Sequence, residues 1–184
     1  ATSPEQYGLA GISGVTADNV DLVNEMLASL TESVPSPTAA QIQSLVDSTV
    51  AISEALSVSD GERTGGLQLD ANGYQALGLS HVDSASEAAL LNEFIDTGSG
   101  DLGANMASIE AASLTIDRLV EFIENGALTP SLTLSELAAL GITDLTEADL
   151  DTYLEAVLEE FLDDQPITLQ AVQTVANRVV NDID

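Results

Sequence analysis

A short pattern recurs three times along the chain, and an internal repeat constrains architecture more than any local propensity does. The first copy is Tyr7-Gly8-Leu9-Ala10-Gly11-Ile12-Ser13-Gly14-Val15-Thr16. The second is Tyr74-Gln75-Ala76-Leu77-Gly78-Leu79-Ser80-His81-Val82-Asp83, and the third is Leu137-Ala138-Ala139-Leu140-Gly141-Ile142-Thr143-Asp144-Leu145-Thr146. Their glycines Gly11, Gly78 and Gly141 lie 67 and then 63 residues apart. Copies one and three stay in register well beyond this stretch. Asp21, Glu25, Thr38, Gln43 and Val50 recur as Asp151, Glu155, Thr168, Gln173 and Val180. Copy two diverges more, although Ile109 still falls 67 residues after Ile42. The repeat predicts three units over residues 1–62, 63–128 and 129–184, with the middle one divergent.

Within each copy, apolar residues follow helical spacing, and persistent alternation of period two is absent, so the expected class is all-α. In copy three, Thr133 and Glu136 form a capping box for a short helix that Gly141 ends as a left-handed cap. Thr146 with Asp149 signals a second helix striped by Leu150, Leu154, Val157, Leu158 and Phe161. Pro166 breaks the chain, Thr168 caps again, and Val172, Val175, Ala176, Val179 and Val180 line a third helix. Copy one carries matching stripes, with Thr38 and Gln41 as the capping box after its Pro35 and Pro37 break. Copy two has Asp83 where the others have a capping Thr, so its second helix has no clear starting residue. The stretches 57–66 and 125–132 hold the Gly, Ser, Asp and Pro expected of connectors. A unit of about 60 residues is marginal alone, so the copies are expected to pack end to end or as one helical bundle.

Charge narrows the function classes. The chain has 31 Asp plus Glu against 3 arginines and no lysine, a formal charge of −28, yet 45% of its residues are apolar. That apolar share belongs to a folded protein, so the charge resides on its surface. Nucleic acid and anionic membrane surfaces both require basic side chains that this chain lacks. No stretch is long and apolar enough to cross a bilayer, and Ala1-Thr2-Ser3-Pro4-Glu5 has neither the basic region nor the apolar run of a signal peptide. The missing signal leaves the compartment open, because a mature or excised chain would also lack one. A lysine-free acidic surface stays hydrated in concentrated salt, where its self-repulsion is screened.

Motifs that could carry chemistry are sparse. Gly98-Ser99-Gly100-Asp101-Leu102-Gly103 matches the dinucleotide fingerprint literally, but a helical stripe precedes it and Asp101 would face the phosphates, so a loop is expected. His81 is the sole imidazole and falls in a joint, which suits a surface residue better than a catalytic base. One His and no Cys leave a zinc site with carboxylates alone. Asp151, Glu155, Glu159 and Asp163 form an acidic stripe at i, i+4 spacing, expected to be a solvated helix face. Asp70-Ala71-Asn72-Gly73 matches part of a calcium loop without the later ligands, and Asp60, Glu62 and Asp70, or Asp96 and Asp101, could converge in a loop. None of these makes a motif. Catalytic, cofactor-binding and metal sites are therefore all assigned as none, calcium being the one ion kept in view, and an enzyme is the least favoured class.

The run Leu134 to Leu150 resembles a family of helical tandem modules found in very large bacterial surface and adhesin-like proteins. Their hallmark is Leu-x-x-Leu-Gly-Ile/Val-x-x-Val/Leu-Thr before a long helix. Gly11 to Val20 repeats the hallmark, and Gly78 to Val82 does so in weakened form. The resemblance implies an extracellular or cell-surface setting and a non-enzymatic spacer or adhesive role, with neighbouring repeats of the same protein as partners. Two alternatives accompany it: a calcium-dependent or partner-binding adhesive module, and the subunit of a self-assembling extracellular filament.

Overall fold

The computed structural model describes residues 1–57, 66–98, 102–127, 129–161 and 166–182. Among the described residues the protein is all-α. The helices come in the order short, medium, long, three times over. The first triplet is α1 (Pro4–Leu9), α2 (Val20–Ser33) and α3 (Ala39–Ser57). The second is α4 (Ala71–Ala76), α5 (Ala85–Asp96) and α6 (Leu102–Asn125), and the third is α7 (Leu134–Ala139), α8 (Leu150–Glu160) and α9 (Leu169–Asp182).

Each short helix is defined at both ends by its own residues. Ser3 with Gln6, and Thr133 with Glu136, form reciprocal capping boxes, while the Asp70 carboxylate accepts from the Gly73 N–H at 2.9 Å. At the other end Gly11, Gly78 and Gly141 have φ of 79°, 87° and 84°. This left-handed turn lets the Ile12, Leu79 and Ile142 N–H groups donate to the Tyr7, Tyr74 and Leu137 carbonyls at 2.9, 3.2 and 3.1 Å. The result is a six-to-one Schellman closure, which a residue bearing a β-carbon would strain by about 1 kcal/mol. Each closure then buries the apolar residue that follows the glycine.

The medium helices begin less uniformly. Thr146 donates to the Asp149 carboxylate through its N–H at 2.8 Å and its hydroxyl at 2.5 Å, forming a turn from which α8 starts at Leu150. Thr16 N–H makes the same contact to Asn19 Oδ1 at 2.8 Å. In the second triplet Ser84, not Asp83, caps α5 in a box with Glu87, whose Oε2 accepts from the Asp83 and Ser84 N–H groups at 2.7 and 2.8 Å. The helix start that Asp83 obscured thus lies one residue further on. Asn24 and Asn92 are 68 residues apart for this reason, where Tyr7 and Tyr74 are 67 apart.

One apolar core runs through all three triplets. Equivalent positions of the long helices are buried together: Val46, Ser113 and Ala176 in one set, Thr49, Ile116 and Val179 in another. Each long helix pairs with the medium helix before it, and α3 and α6 also carry the short helix that follows. At the first such joint α4 lies close: a β-carbon on Gly73 would come 2.6 Å from Leu69 Cγ and 3.1 Å from Ser48 Oγ. At the second, Arg118 of α6 pairs with Glu136 of α7 and donates to the Pro130 and Ser131 carbonyls at 2.6 and 3.2 Å.

Tyr153 of α8 is fully buried, and its hydroxyl has no hydrogen-bond partner. Burial pushes its phenol up, so the group stays protonated and its O–H remains unsatisfied. Tyr153→Phe is therefore expected to raise unfolding stability by about 1 kcal/mol, as measured by urea denaturation.

Candidate functional site

The best-organised polar groups lie where one element meets the next. In the first triplet Asn24 of α2 reaches back to the segment before α1. Its Oδ1 accepts from the Thr2 N–H at 3.0 Å and the Tyr7 hydroxyl at 3.1 Å, and its Nδ2 donates to the Thr2 carbonyl at 2.9 Å. Asn92 of α5 repeats the arrangement with Leu69 N–H at 3.1 Å, Tyr74 hydroxyl at 2.7 Å and Leu69 carbonyl at 2.9 Å. A carboxamide suits this place because it supplies an acceptor and a donor side by side, matching a backbone N–H and C=O. Burial, reinforced by the charge of Asp96, pushes the Tyr74 phenol up and keeps it a donor. The third triplet has Leu137 and Leu154 at the corresponding positions, both buried. There two buried apolar residues stand in place of the polar clamp, and Arg118 holds the incoming segment.

Glu93 spans the longest distance in sequence. Its carboxylate accepts from the Leu169 N–H at 2.8 Å and the Gln170 N–H at 3.0 Å, while Thr168 Oγ1 accepts from Ala171 N–H at 3.1 Å. A side chain of the second triplet thereby satisfies the first orphan amides of α9, with the favourable sign for a helix N-terminus. Asp96 does similar service, accepting from the Leu67 N–H through both carboxylate oxygens at 3.0 and 2.8 Å.

A charged group on α6 feels the carboxylates at the start of α5. Asp117 is half-buried, and its carboxyl is pushed up by burial first and then by Glu87, with Glu121 and Asp83 adding to this and His81 opposing it. Because the folded state binds this proton more tightly than the unfolded chain, ionised Asp117 opposes folding above its ordinary value of 3.8. Asp117→Asn is expected to stabilise the protein by a fraction of 1 kcal/mol near neutral pH, discounted for the group's exposure. The gain should disappear in melts recorded below that ordinary value.

Among the described residues, those singled out in the sequence do not converge. His81 is exposed in the loop between α4 and α5. Of the stretch Gly98 to Gly103, expected to be a loop, Leu102 and Gly103 already belong to α6, residues 99–101 lie outside the described residues, and the helix α5 precedes it where the dinucleotide fold needs a strand. Asp70 serves as the α4 cap, accepting from the Gly73 N–H and the Asn72 side-chain amide, and Asp96 spends both oxygens on the Leu67 N–H. Asp60, Glu62 and Asp101 lie outside the described residues. Asp151, Glu155 and Glu159 are exposed along α8, and Asp163 lies outside the described residues. No group of three or more His, Asp or Glu side chains is arranged to hold a metal ion among the described residues. Nor is any described helix long and apolar enough to cross a membrane. Asn24, Asn92 and Glu93 are the residues that sequence reasoning missed. Among known protein families, curated proteins and solved structures, none matches this chain.

Proposed function

We propose that the protein is a non-enzymatic structural module, three helical units long, that serves as a spacer in a secreted or cell-surface protein of adhesin-like kind. The observation that carries this reading is the repeated joint. Twice, a Schellman-closed short helix seats on the preceding long helix, and polar side chains hold the backbone that leads into it, Asn92 and Asp96 at the first joint and Arg118 at the second. Such joints transmit position from one unit to the next, which is what a spacer requires. The one-sided charge and the resemblance of the glycine elbows to bacterial surface modules support the extracellular setting. Neighbouring repeats of the same protein are the partners this reading names, with neither nucleic acid nor membrane insertion involved.

A calcium-dependent adhesive module is the competing reading, and calorimetry separates the two. Titration with calcium chloride is expected to give no saturable heat, and melting in calcium should equal melting in magnesium at matched ionic strength. A saturable calcium heat, with a melting rise that EDTA reverses, would replace the spacer reading with the adhesive one. The filament alternative predicts scattering that grows with protein concentration in salt. A spacer module stays monomeric there.

A further inference from the structure

The two ends of the helical array differ in a way that gives it a direction. At the first joint, Ala76 of α4 faces Leu30, Val34 and Ala40 of the preceding triplet across a groove of about 390 Å³. Ala139 of α7 holds the same position and is likewise half-buried. On α1 that position is Leu9, which is 89% exposed. Since α1 shares the cap and the glycine elbow of α4 and α7, its outer face is half of a joint that the chain itself makes twice elsewhere.

The other half of the joint is on the long helices. The position that α4 approaches on α3 is Ser48, and Thr115 holds the equivalent position on α6; the two are exposed by only 2% and 3%. The neighbour one turn on, Ala51 or Arg118, is half-buried. On α9 these two positions are Arg178 and Asn181, both exposed, and Arg178 pairs with Glu160 of its own triplet at 3.2 Å. Thr174 and Asn177 extend the same polar face. Seating a short helix there would bury a guanidinium beneath it and pull Arg178 from Glu160, a desolvation that a small hydroxyl avoids.

We infer that the α1 end is a docking face for the long helix of another helical unit of this kind, one with a small side chain at the Ser48/Thr115 position, and that Arg178 closes the α9 end. This rests on the spacer reading and adds its polarity: the array accepts a neighbour before α1 and refuses one after α9. Leu9 is the side chain that would fill a groove such as the one Ala76 leaves open at the first joint.

The test is a tandem chain of two full copies joined by the 126–132 connector sequence, so that the linked ends meet at high effective concentration. One version keeps the α9 face of the first copy, and the other carries Arg178→Thr and Asn181→Ala there. Hydrogen exchange is read at Tyr7, Ala10 and Ile12 of the second copy in high salt, with the buried α3 amides as the check that both copies fold. In the opened version these three amides should exchange about tenfold more slowly, and Leu9→Glu in the second copy should abolish the effect. Three outcomes would overturn the inference. These are no slowing in the opened version, equal slowing with Arg178 in place, or slowing that survives Leu9→Glu. None of them touches the spacer reading, which falls instead on a calcium heat or concentration-dependent assembly.

Discussion

Raising NaCl from about 0.01 M to about 1 M is expected to raise the melting temperature by on the order of 10 °C. The screening length falls from about 30 Å to about 3 Å over this range, so repulsion between carboxylates on neighbouring helix faces is largely removed. Folding brings those charges together, and the unfolded chain spreads them, so screening favours the folded state. The net charge of −28 has little internal relief: Arg118 and Arg178 are each already engaged with one glutamate, while Asp151, Glu155 and Glu159 stand exposed in a row. Circular dichroism melts in NaCl and in choline chloride would check this, since both screen alike. A melting temperature that stays flat in both salts would contradict the role given to the charge.

Asn92→Leu is expected to cost about 3 kcal/mol in urea unfolding, the second large effect. The substitution keeps the volume but strips partners from the Leu69 N–H, the Leu69 carbonyl and the Tyr74 hydroxyl at once. Two of these are backbone groups that no rotamer change can bring to water, and Tyr74 is fully buried. Adding Tyr74→Phe removes the stranded hydroxyl, so the double variant should be no less stable than Asn92→Leu alone. The coupling in the cycle should be about 1 kcal/mol. Strict additivity would mean that the Tyr74–Asn92 contact contributes nothing. The third triplet has buried Leu137 and Leu154 at these two places, so a triplet can form without this contact.

The elbows were legible in the sequence because their chemistry is local. A glycine after an apolar helical stripe, followed by a second apolar residue, encodes a left-handed closure with no help from the rest of the chain, and Gly11, Gly78 and Gly141 obey it. The all-α class followed from spacing for the same reason. The clamps were hidden. Asn24 and Asn92 fall out of step by the residue inserted before Ser84, and the third copy has Leu154 at that place, so no column of the repeat reads Asn throughout. Glu93 was hidden by abundance, one of 31 acids, with its partners 76 and 77 residues away. Among the carboxylates considered as ion ligands, Asp70 and Asp96 turned out to hold backbone amides, and spacing alone cannot distinguish those uses. A capping Asp and a ligating Asp look identical until the third dimension says what faces them.

Glu93 also has a consequence for how the chain is made. A ribosome releases α5 and α6 well before α9 exists, so the carboxylate of Glu93 lacks its α9 partners until that helix has emerged. The second triplet can assemble its own hairpin during synthesis, but the amides that start α9 find this partner only after α7 and α8 have also been made. A nascent protein stalled at α8 would therefore present Glu93 as an acidic, hydrated edge, and the arrival of α9 would convert that edge into a contact between helices.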